Sequence, residues 1–108
     1  MPTLRVLLDE CLDRRLRREF PGHLTKTVPE MRWNGLKNRV LLGRAEKAFD
    51  VFVTVDRNLA FQEQTSRFEI GTIVLHASSN RAEDLRHLVP RALKMMASAR
   101  PGRVLHIS

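Results

Sequence analysis

The sequence predicts an α/β domain built around a mostly parallel sheet of four or five strands. Three observations carry that prediction. Short apolar runs of strand type recur at Leu4–Leu8, Val51–Val55 and Ile70–Leu75. Stretches with apolar residues at helical spacing lie between them. The alternation fills 108 residues without an internal repeat, linker or low-complexity tract, so residues 1–108 are read as one domain.

The elements follow in order. Leu4-Arg5-Val6-Leu7-Leu8 is the first strand. Leu12, Leu16 and Phe20 mark a helix that Pro21-Gly22 stops. His23 to Val28 alternates weakly, as an edge strand does, and residues 29–35 form a loop punctuated by Pro29, Trp33 and Asn34-Gly35. Leu36 to Ala48 is the clearest helix. Val51 to Val55 is β-branched and nearly all apolar, as a central strand covered on both faces should be. Leu59 to Gln64 suits a short helix, and Ile70 to Leu75 a fourth strand. Asn80 with Glu83 resembles a capping box opening a helix near residue 81. Pro90 belongs in the first turn of a continuation, because its ring is not tolerated in a helix interior. Gly102 ends the helical region, and Arg103 to Ile107 is the last strand.

Composition narrows the class. The 43% hydrophobic and 29% charged fractions are those of a globular chain. Cys11 is the single cysteine, which excludes an intramolecular disulfide and a cysteine-based zinc cluster. The amino terminus lacks the apolar core of a signal peptide, and no apolar run approaches the roughly 20 residues that cross a membrane. A cytoplasmic protein without a membrane partner is therefore expected. The net charge is +7, and 15 of the 19 basic residues are Arg. Such a surplus attracts polyanions, and guanidinium matches phosphate bidentately. Arg-rich composition alone also arises without any nucleic-acid role.

Two strands end in carboxylates. The first runs into Asp9-Glu10 and the central one into Asp56-Arg57-Asn58. In open parallel sheets ligands bind beyond the carboxyl ends of the strands, at the topological switch point. Asp9 and Asp56 face one crevice if their strands are adjacent. Two carboxylates there suit a hard divalent cation, Mg2+ or Mn2+, which activates water and stabilises charge developing on a phosphodiester. The competing reading is that each Asp caps the following helix.

Asn38 shares a helical face with Leu41, Leu42 and Ala45, which makes it an inward polar residue near Asp9 and Asp56; an Asn that satisfies loop backbone groups is the equal alternative. Glu46 is about 12 Å further along at roughly 1.5 Å per residue, out of a ligand's reach. Lys37, Arg39 and Arg57 are candidates to meet phosphates. Asn58 and Gln62 are candidates to touch substrate, although Asn58 equally fits a helix cap. The densest basic patch is the Arg14/Arg18 face. Trp33 fits semi-buried packing, and the four histidines lack metal-ligand spacing.

Three blocks resemble the small PIN-like proteins of the DUF5615 group. They are Leu7-Leu8-Asp9-Glu10, Trp33 to Asn38, and Phe49 to Leu59. The resemblance covers most of the chain and implies a PIN-like, three-layer α/β/α sandwich related to metal-dependent ribonucleases, many of them toxins of bacterial type II toxin–antitoxin pairs. It places Asp9 and Asp56 at the acidic positions and Glu10 in the usual Asp-Glu pair. Many members carry Asp where this chain has Asn38, and a neutral amide binds Mg2+ more weakly.

The expected function is thus RNA hydrolysis. Asp9 and Asp56 would hold the metal, Glu10 would add a ligand or orient water, and Asn38 would position water, metal or phosphate. RNA is the expected partner, an antitoxin protein is implied by the resemblance, and a homodimer is left open. A catalytically degenerate binding module is the alternative. A receiver-type phosphoacceptor domain fits less well, since Lys26, Lys37, Lys47 and Lys94 do not follow a late strand.

Overall fold

The computed structural model describes residues 3–108. Its centre is a five-stranded, wholly parallel sheet: β1 (Arg5–Leu8), β2 (Leu24–Thr27), β3 (Val51–Thr54), β4 (Gly71–Leu75) and β5 (Val104–Ile107). The spatial order is β2-β1-β3-β4-β5. After β2 the chain returns across β1, so the switch point falls between β1 and β3. The helices are α1 (Asn38–Ala48), α2 (Leu59–Thr65), α3 (Ala82–Leu85) and α4 (Val89–Met95). Among the described residues no helix is long and apolar enough to cross a membrane.

The three layers follow from side-chain alternation along each strand. Val6, Leu8, Val51, Val53, Ile73 and Leu75 point to one face and pack against Leu16, Leu85, Leu88, Ala92 and Met96. Leu7 and Phe52 point to the other and meet Leu41, Leu42 and Ala45 of α1 and Phe61 of α2. Phe52 and Phe61 stack at 6.1 Å. Every residue of β3 and β4 is buried, which is why both read as continuous apolar runs. Trp33 is half-buried, edge-on to Phe49 at 6.0 Å, as packing predicted. The amino ends of β1 and β3 are pinned by Arg5, whose amide and guanidinium both donate to Asp50.

Pro90 lies in the first turn of α4, and Gly102 takes a positive φ of 78° before β5. Gly71 opens β4 where the chain approaches most closely. A Cβ there would stand 2.1 Å from the Ala99 carbonyl oxygen.

Two local expectations are corrected. The segment after β1 is a 3-10 helix over Arg14–Glu19, not an α-helix through Phe20. Asp13 caps it by accepting the Arg15 amide and also takes the Arg15 guanidinium. The capping box of Asn80 and Glu83 does not form. Arg81 is the N-cap of α3 and has no side-chain acceptor to offer, while Asn80, one residue earlier, donates its side-chain amide to the Cys11 carbonyl at 2.8 Å.

Candidate functional site at the switch point

The parallel register brings the two carboxylate-bearing strand ends together. Leu8 pairs with Val53, and the Asp9 amide continues the ladder by donating to the Val53 carbonyl at 2.9 Å. Asp9 therefore lies beside Thr54. The Thr54 hydroxyl donates to Asp9 Oδ2 at 2.7 Å and accepts the Asp56 amide at 3.0 Å. One buried hydroxyl thus stitches the Asp9 turn to the Asp56 turn.

Asp9 is 9% exposed. Its Oδ1 accepts the Glu10 amide at 2.8 Å, and its Oδ2 also accepts the Cys11 thiol at 3.4 Å. Burial pushes its carboxyl above the ordinary range, while the Thr54 and Cys11 hydrogen bonds pull the other way. Cys11 is half-buried, and burial with the nearby Asp9 charge pushes its thiol up to about 11. Asp56 is partly exposed, and its Oδ1 accepts the Asn58 amide at 2.9 Å, a turn that leads into α2.

The remaining candidates separate. Glu10 is exposed and its carboxylate accepts the Gly35 amide at 3.3 Å, which ties the 29–35 loop to the end of β1. Asn38 is the first residue of α1 and is exposed, contrary to the inward position expected. The helix face is right but the first turn, residues 38–40, is uncovered; burial begins at Leu41. Lys37 and Arg39 flank it on the surface. Asn58 is the N-cap of α2, its Oδ1 accepting the amides of Ala60 and Phe61. Arg57 donates to the Ala77 carbonyl at 2.9 Å, bracing the β3 and β4 ends. Gln62 is partly buried one turn into α2. Glu46 accepts the Glu69 amide, outside the site.

Sequence reasoning missed Thr54. Its signal was a lone hydroxyl within an apolar run, two residues before the acidic one. It also missed Cys11 as a donor to Asp9, a contact that depends on the tight turn after β1.

Among the described residues no three His, Cys, Asp or Glu side chains converge as a metal cage. The donor chemistry still fits Mg2+ or Mn2+. Both prefer oxygen, and Mg2+ is commonly held by one or two carboxylates with water and substrate phosphate completing its shell. Asp9 and Asp56 supply that minimum, and Asp56 remains open to solvent.

Comparison of the chain with family models, with curated proteins and with solved structures returns no match.

Proposed function

We propose that the protein is a PIN-like, metal-dependent ribonuclease whose chemistry lies at the β1–β3 switch point. The observation that carries this reading is the Thr54 bridge between Asp9 and the Asp56 turn. A strand-terminal carboxylate that only capped a helix would need no buried hydroxyl to aim it. Asp9 and Asp56 would hold Mg2+ or Mn2+. Bound there, the cation lowers the pKa of water and stabilises charge on the phosphodiester. Thr54 orients Asp9, and Glu10 ties the 29–35 loop to the end of β1. Lys37, Arg39 and Arg57 provide cations for the phosphate backbone. A toxin role beside a cognate antitoxin belongs to the same proposal.

Asp56→Asn tests the chemistry. Metal-dependent cleavage of RNA should disappear in the variant; equal cleavage by variant and parent removes the claim. A non-catalytic nucleic-acid-binding module is the second reading. It is favoured by the internal donors already on both oxygens of Asp9. Calorimetric titration with Mn2+ separates the two, since no heat of binding at millimolar metal selects the module.

A further inference from the structure

A second groove lies away from the acidic strand ends. It has a volume of about 680 Å³ and runs along the Arg14–Glu19 3-10 helix, over Thr27 and Glu30. In a 3-10 helix residues three apart eclipse one another. Leu16 is wholly buried, so its row faces the core. The rows Arg14/Arg17 and Arg15/Arg18 are left facing outward, with roughly 6 Å between the members of each.

These four arginines are not equivalent. Arg15 is committed to Asp13 and Glu83 at 2.7 and 3.2 Å. Arg17 is held by Glu30 at 2.6 Å, and Glu30 is itself anchored by the Thr27 amide at 2.9 Å. Arg14 and Arg18 have no carboxylate partner among the described residues. The groove therefore presents two free guanidinium groups beside a third in a fixed position. Thr27 pairs with Leu8, the residue before Asp9, so the groove opens at the carboxyl end of the sheet.

We propose that this groove seats the phosphodiester backbone of single-stranded RNA and delivers the strand towards Asp9; the identity of the strand as RNA rests on the nuclease reading. The lining chemistry favours a backbone over an acidic protein. Guanidinium and hydroxyl groups are what phosphates recruit. Pro29 is the one apolar side chain lining the groove, whereas protein interfaces centre on an apolar, aromatic core.

The test uses the full chain carrying Asp56→Asn, with EDTA, so that binding is read without cleavage. Fluorescence anisotropy follows a labelled 12-nucleotide oligouridylate across a salt series. The Arg14→Gln/Arg18→Gln variant should bind roughly tenfold more weakly. Its salt slope should fall by about 1.4, two phosphate contacts at about 0.7 each. Arg14→Lys/Arg18→Lys should restore the slope. Arg100→Gln/Arg103→Gln, an equal loss of charge at the other end of the sheet, should change affinity less than twofold. The proposal is overturned if the groove variant keeps the parent's slope, if the distant variant loses as much, or if polyglutamate competes as well as oligouridylate. The nuclease reading fails separately: binding through the groove without Mn2+-dependent cleavage by the parent removes that reading alone. Cleavage with an unchanged salt slope in the groove variant removes the groove alone.

Discussion

Thr54 and Thr72 lie on neighbouring central strands, both almost wholly buried, yet their hydroxyls differ in every other respect. Thr54 Oγ1 bonds both carboxylate-bearing turns, whereas Thr72 Oγ1 has no partner among the described residues. Thr72 is explained by strand propensity alone, since a β-branched side chain packs well on a doubly covered sheet. Thr54 is explained only by what it holds. Of these two hydroxyls on neighbouring strands, the paired one lies at the switch point and holds both acidic turns together.

The experiments that sharpen this contrast run from large effects to small. Cys11 joins the Thr54–Asp9 cluster, with its thiol pushed up to about 11. At pH 8 it should react with iodoacetamide about two orders of magnitude more slowly than an unburied cysteine, because so little thiolate is present; a normal rate would show the cluster to be open. Thr54→Val removes a hydrogen bond to a buried carboxylate and should destabilise the fold by about 2 kcal/mol in urea titration. Thr72→Val should do the opposite. Replacing an orphaned hydroxyl with a methyl group should add about 1 kcal/mol, and a loss instead would mean that the hydroxyl has a hidden partner.

The smallest effect concerns two carboxylates on one loop. Asp9 is held above its ordinary range by burial, and Asp13 well below it, chiefly by the Arg15 side chain. A raised carboxyl favours folding below its unfolded pKa of about 3.9 and loses that contribution as pH rises through the folded value. A lowered one contributes above about 3.9 and loses its contribution as pH falls. Asp9→Asn should therefore gain stability relative to the parent between pH 3 and pH 7, and Asp13→Asn should lose it. Parallel pH profiles of the two variants would break the contrast.

Much of this was legible in the sequence. The apolar run at Val51–Val55 and its acidic successor placed β3 and Asp56, because burial on both faces leaves a continuous signal. Pro90 announced its own position through its fixed φ. The failures share a cause. The Asn80 amide is taken by the Cys11 carbonyl, 69 residues away, and no local spacing encodes that partner. Thr54 acquires its role only when β1 and β3 become neighbours. Leu12, Leu16 and Phe20 have α-helical spacing, yet the segment is a 3-10 helix whose N-cap, Asp13, also accepts the Ala82 amide, a partner 69 residues away.

The missing side chain at Gly71 bears on how the chain avoids its own copies. The Ala99 carbonyl occupies the space of a Cβ, which lets the segment before β5 close down on β4. One added methyl group would lift that segment and loosen β5 from its neighbour. β4 is buried throughout, and with β5 loosened its backbone would become a bare edge, a template for intermolecular strand pairing. Gly71→Ala should accordingly scatter light on mild heating well before the parent does, and clear solutions of both would show that β5 tolerates the displacement. A single hydrogen in place of a methyl group is what leaves room for the Ala99 carbonyl beside β4.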